Sequence, residues 1–162
     1  MSLPNRWKDF YSNVHDLLEC EQVKKMHEFR HHHFVTCFEH SVFVSYIAFL
    51  LAKKLGVDER EAARAGLLHD FYLYDSEDKA QYRGFNCLYH PPLALKNALE
   101  VCDLSKNERN AIISHMWPMA KTMPKCGVAV VVNMADKCCA TLEFFKIFHR
   151  MKMRKYVPSP GM

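Results

Sequence analysis

The most apolar segments of this chain have helical spacing, and each holds a histidine or an aspartate where a core residue belongs. His40 lies in F-E-H-S-V-F-V, and the pair His69-Asp70 closes A-G-L-L-H-D. His115 ends A-I-I-S-H-M, and Asp136 stands in V-V-N-M-A-D-K. A helix that turns such a segment towards a core buries these polar groups with it. A buried, unpaired carboxylate is strongly unfavourable even after the surroundings relax. The fold must therefore pair each group separately or gather the set around one partner.

Helix signals run the length of the chain. Residues 6 to 29 place Trp7, Phe10, Tyr11, Val14, Leu17 and Leu18 at helical spacing, which predicts one amphipathic helix. Residues 35 to 55 predict a strongly apolar helix stopped by Gly56. Asp58 with Glu61, and Ser105 with Glu108, have the spacing of capping boxes that open two more helices. Residues 74 to 91 read as irregular, with Pro92 in the first turn of a helix to about Val101. Pro118 stops the helix that begins after Ser105, and a last helix is expected over 126 to 150. Val128, Val130, Val131 and Val132 could form a strand, but no second strand is evident, so this stretch is read as helix. The expectation is an all-α, single-domain bundle of about six to seven helices.

Composition narrows the function. With 162 residues, 49% hydrophobic and 25% charged, the chain fits one soluble globular domain. No apolar run is long enough to cross a bilayer, and residues 1 to 9 lack the apolar core of a signal peptide. A cytoplasmic protein with no membrane partner is the default. Seven cysteines without a C-x-x-C pattern read as reduced thiols rather than a zinc finger or disulfide framework. The net charge of +4 is modest, and the basic residues cluster only at Lys146, Arg150, Lys152, Arg154 and Lys155. Without interleaved aromatics this reads as a solvated helix end, which argues against a nucleic-acid partner.

Ten histidines remain to be explained. Any one of them reads best as a core histidine with one hydrogen bond. As a set with two aspartates, they call for a shared divalent metal. Imidazole and carboxylate together suit Fe, Mn, Zn, Co or Ni better than Ca or Mg. Pattern alone leaves the two readings evenly matched.

The segments E-H-S-V-F-V, A-G-L-L-H-D and A-D-K together resemble the HD superfamily of metal-dependent phosphohydrolases, over roughly residues 33 to 145. L-L-H-D-x-x-L-Y-D, H-P-x-x-A-x-x-N-A and H-M-W-P are similar to a group of small bacterial HD-domain proteins. The resemblance implies His40, His69, Asp70 and Asp136 as ligands of one metal, with Asp70 bridging to a second. It also implies His90 and His115 as ligands of that second ion, an arrangement similar to the HD-type diadenosine tetraphosphate hydrolases. One or two divalent transition metal ions, and a nucleotide or other small phosphoester as substrate, follow from it. Asp70 would orient the attacking water, with His90 or His115 lending positive charge to the leaving oxygen.

One departure bears on the activity. Many HD hydrolases carry a lysine three residues after the H-D pair, close to the substrate phosphate, and Leu73 stands there in this chain. His33, Arg83 and Lys137 are the candidates to meet phosphate instead, each with the plainer reading of a surface residue. Of the run His31-His32-His33, His33 is expected to reach the site. Two other chemistries share the ligand set. One is a six-ligand di-iron HD oxygenase. The other is a non-catalytic sensor that binds metal and nucleotide.

Overall fold

A computed structural model describes residues 5–32, 35–75, 78–82 and 84–145. Among the described residues there are seven α-helices. They are α1 Asn5–Leu18, α2 Glu21–Lys24, α3 Cys37–Leu55, α4 Glu59–Leu68, α5 Asn86–Val101, α6 Lys106–Ser114 and α7 Gly127–Phe144. A turn of 3-10 helix, Lys25–Glu28, follows α2, and another, Lys79–Gln81, precedes α5. The one sheet among the described residues is a short antiparallel hairpin of β1 Arg30–His32 and β2 Val35–Thr36. The fold class is all-α.

Helix α3 is the axis of the bundle, buried at every position from Cys37 to Ser45. Its start is a full capping box: Thr36 Oγ1 accepts from the Glu39 backbone N–H, and the Glu39 carboxylate accepts from the Thr36 N–H at 3.1 Å. Its end is Gly56 at φ +69°, the left-handed conformation that glycine adopts without strain. Helix α4 lies against α3 at very close range. A Cβ on Gly66 would stand 2.9 Å from Ser45 Cα, so no larger residue fits there. Across the same contact the Ser45 hydroxyl donates to the Ala63 carbonyl at 2.6 Å. On the other side of α3, α7 buries Val128, Ala129, Val131, Val132, Ala135 and Asp136 along one stripe. Those valines are helical because the i, i+3, i+4 face they form is the one that meets the core. Helix α1 covers the bundle with an aromatic cluster of Trp7 and Phe10 against Tyr46 and Phe49, ring centroids 5.0 to 5.8 Å apart.

The structure departs from three expectations. The helix expected over 6 to 29 is broken, because Cys20 is extended at φ −68°, ψ 122° and α2 restarts after it. Tyr11 falls on the exposed side of α1. The segment before α3 is not helical from 35, since Val35–Thr36 pairs with β1. Helix α5 starts at Asn86 rather than Pro92, so Pro91 and Pro92 lie inside it. Their missing N–H groups leave the carbonyls of Cys87 and Leu88 without a helical donor, and Leu88 is exposed, where water can serve. His90 therefore sits on a helix and not before one. The basic segment 146–162, with His33 and Arg83, lies outside the described residues. No helix among the described residues is long and apolar enough to cross a membrane.

Candidate metal centre

Two of the site histidines are placed by helix ends. His69 is the C-cap of α4 and His115 the C-cap of α6. The last carbonyls of a helix lack backbone donors. Here the histidine rings supply them: His69 Nδ1 donates to Gly66 O at 2.8 Å, and His115 Nδ1 to Ile112 O at 2.7 Å. His90, in the second turn of α5, uses Nδ1 in the same way on Asn86 O at 2.8 Å. A carbonyl only accepts, so each Nδ1 carries the hydrogen and each neutral ring keeps its lone pair on Nε2. His40 on α3 turns its Nδ1 to the Glu143 carboxylate of α7 at 2.9 Å. A carboxylate or carbonyl that accepts from the far ring nitrogen is the usual way a metal-binding imidazole is oriented.

All four Nε2 atoms converge on two carboxylates. Asp136 Oδ1 lies 3.3 Å from His40 Nε2 and 3.6 Å from His69 Nε2. Asp70 faces two ways. Its Oδ2 is 3.5 Å from His69 Nε2 and 3.9 Å from His40 Nε2, while its Oδ1 is 3.2 Å from His90 Nε2 and 3.4 Å from His115 Nε2. His90 Nε2 and His115 Nε2 are themselves only 2.8 Å apart. His40 and His69 are fully buried, and Asp70 and His115 nearly so.

The electrostatics are those of a site built for positive charge. Burial opposes ionisation of Asp70, but His69 and His90 overcome it and hold the carboxyl well below the usual range. Asp136 is held low in the same way by His40 and His69 against its burial. Burial disfavours a charged His40, yet Glu143 and Asp136 raise its pKa to about 10. His69 is raised against its burial by Asp70 and Asp136. His115 is lowered, by burial and by the charge of His69 and His90. Among the described residues, the buried His69 Nε2 and Asp70 Oδ1 have no hydrogen-bond partner. Two facing imidazole lone pairs and two orphaned buried atoms are what a divalent cation satisfies. The donor set of imidazole and carboxylate fits a transition metal.

A family model described as the HD domain matches residues 37–141, more than half of the chain. The chain belongs to the HD-domain family. That family consists in general of metal-dependent hydrolases. No curated protein matches the chain in sequence.

The HD domain thus brings His40, His69, Asp70, His90, His115 and Asp136 into one buried cluster. Lys137 takes a different part. Its Nζ donates to the His115 carbonyl at 3.0 Å, which the Asn133 amide also meets at 2.7 Å. Both groups hold the backbone of His115. Leu73, where a lysine is usual, has a positive φ of 51°, so the chain turns sharply just after the H-D pair.

Three residues at the site escaped the sequence reading. Glu143 looks like a polar position on an amphipathic helix, and its i+7 spacing from Asp136 is the one available clue. Tyr72 is buried two residues after Asp70 with its hydroxyl 3.4 Å from His31 Nδ1. His31 belongs to the cluster, its Nδ1 3.4 Å from Asp70 Oδ2, while the expected His33 lies outside the described residues.

Proposed function

We propose that this HD domain is a phosphohydrolase that acts on a nucleotide or another small phosphoester through a dinuclear metal centre. The observation that supports the reading best is the two-sided environment of Asp70. One oxygen faces His40 and His69, the other His90 and His115, so a single carboxylate can serve two ions. His40, His69, Asp70 and Asp136 would hold one ion, and Asp70, His90 and His115 the other. Bound there, divalent metal would supply Lewis-acid polarisation of the phosphoryl group and the lowered water pKa that hydrolysis at neutral pH requires. The chain's own share is to aim every Nε2 at the site by tying each Nδ1 to a carbonyl or to Glu143. Asn133 and Lys137 fix the backbone that carries His115.

The test is release of phosphate or nucleotide from a panel of phosphoesters, with Mn or Fe supplied. Turnover that disappears with a chelator is expected. A fully loaded protein that turns over none of the panel sinks the activity. A second reading, a binding module without turnover, draws on Leu73 and on the engagement of the Lys137 amine by a backbone carbonyl. Tight nucleotide binding without hydrolysis would favour it.

A further inference from the structure

We propose that His31 is a further metal ligand of this centre, delivered from the hairpin rather than from the helices. The proposal rests on the metal reading above and adds a donor to it. The ring of His31 stacks on that of His40, centroids 3.8 Å apart and planes at 25°. Stacking brings its Nδ1 to the same carboxylate oxygen that His40 Nε2 approaches: Asp70 Oδ2 is 3.4 Å from the first and 3.9 Å from the second. Donor atoms of His31, His40 and Asp70 all lie within 4.8 Å of one another, close enough to surround one ion.

The contact between His31 and Asp70 is longer than a charge-assisted bond. A charge-assisted N–H to carboxylate bond closes to about 2.7–2.9 Å. His31 Nδ1 stands 3.4 Å from both Asp70 Oδ2 and the Tyr72 hydroxyl. That is the same loose spacing the other site nitrogens keep from Asp70 and Asp136.

The hairpin is built to aim this residue. Arg30 pairs with Thr36 and His32 with Val35, so His31 is the extra residue of an irregular step in β1. A bulge of this kind redirects one side chain. The hairpin is also locked to α3: Cys37 N–H donates to Phe29 O at 2.8 Å, and Thr36 of β2 is the N-cap of the helix that carries His40. The position of His31 over His40 is thus set by backbone and capping bonds.

The experiment titrates metal-free protein with Co(II) and reads affinity and the visible ligand-field spectrum, for wild type, His31→Phe and His31→Ala. Phe keeps a ring to stack on His40 but has no nitrogen. The expected result is a loss of affinity of about tenfold or more in both variants, with an altered spectrum. Added imidazole should restore the wild-type spectrum to His31→Ala. Urea midpoints of the metal-free proteins establish that both variants fold. A folded His31→Phe with wild-type affinity and spectrum overturns the proposal, because stacking alone would then account for His31. Wild-type protein that binds Co(II) yet hydrolyses no phosphoester would defeat the activity while leaving this result standing.

Discussion

Buried charge is handled in two opposite ways in this molecule. On the α1–α4–α6 side, Arg64 of α4 closes its own accounts. Its guanidinium meets Asp16 of α1 at 2.7 and 2.9 Å, and its Nε lies 3.6 Å from Glu108 of α6. Glu108 in turn caps α6 by accepting from the Ser105 N–H at 2.7 Å. Around Asp70, two carboxylates face five imidazoles at 3.2 to 3.9 Å, and among the described residues buried atoms are left without hydrogen-bond partners. The first cluster is complete with protein groups alone and ties helices together. The second leaves buried donors that an added cation could meet. The contrast separates a structural network from a binding site more reliably than burial, which both share.

The comparison breaks most severely at Asp70. Asp70→Ala removes the carboxylate that faces both halves of the site. Turnover should fall roughly a thousand-fold or more, the scale of several kcal/mol of metal-derived stabilisation. Elemental analysis of the variant should show metal lost from the protein, while circular dichroism remains helical. Retention of the full metal complement would place the ions elsewhere.

Glu143→Gln asks whether the orienting contact matters as much as the donors. The His40 Nδ1 then loses a charged acceptor but keeps a polar one. Metal affinity should weaken by about 10- to 100-fold, with little change in the urea midpoint. An unchanged affinity would mean that Glu143 serves packing only.

Arg64→Ala addresses the other cluster. It leaves Glu108 buried without its cation and frees Asp16. The cost should be about 1–2 kcal/mol in urea denaturation, at the lower end for charged hydrogen bonds because Asp16 is half exposed. Metal binding should be unaffected, which is the informative part. A loss of metal in a folded Arg64→Ala protein would show that the two clusters are coupled.

The smallest effect is one of pH. Although burial works against it, the contact with Arg64 lowers the Asp16 pKa below its ordinary value of 3.8. A carboxylate whose folded pKa is depressed contributes stability above its unfolded pKa and loses it as pH falls through the folded value. Urea midpoints of wild type and Asp16→Asn should therefore differ near neutral pH and converge below about pH 4. A gap that widens in acid would contradict the sign.

These regions also differ in how far they could be read from residues alone. The helix starts at Asp58 and Ser105 and the stop at Gly56 were legible because each depends on a local bond: Asp58 and Ser105 accept from the N–H three residues on, and Gly56 takes a left-handed turn. His40, His69, Asp70, His115 and Asp136 stood out because a polar residue inside an apolar helix is conspicuous. The start of α5 was hidden, since Pro91-Pro92 imitates a helix N-terminus while the true first turn, Asn86 to Tyr89, has no capping side chain. Thr36 with Glu39 is the same signal as Ser105 with Glu108, but it follows a hairpin too short to have a readable alternation. His31, Glu143 and Arg64 were beyond reach for one reason: each acquires its role from a residue far away in the chain, Asp70, His40 and Asp16.

The central claim is that the Asp70 cluster is a divalent metal site. Metal content per chain, on untagged protein purified without added metal, tests it most directly when read beside the double variant His40→Ala/Asp136→Ala. The account predicts one to two transition metal ions per wild-type chain, or their tight uptake by metal-free protein, and loss of at least one ion in the double variant. A folded wild type that neither contains nor takes up Mn, Fe, Co, Ni or Zn would contradict it.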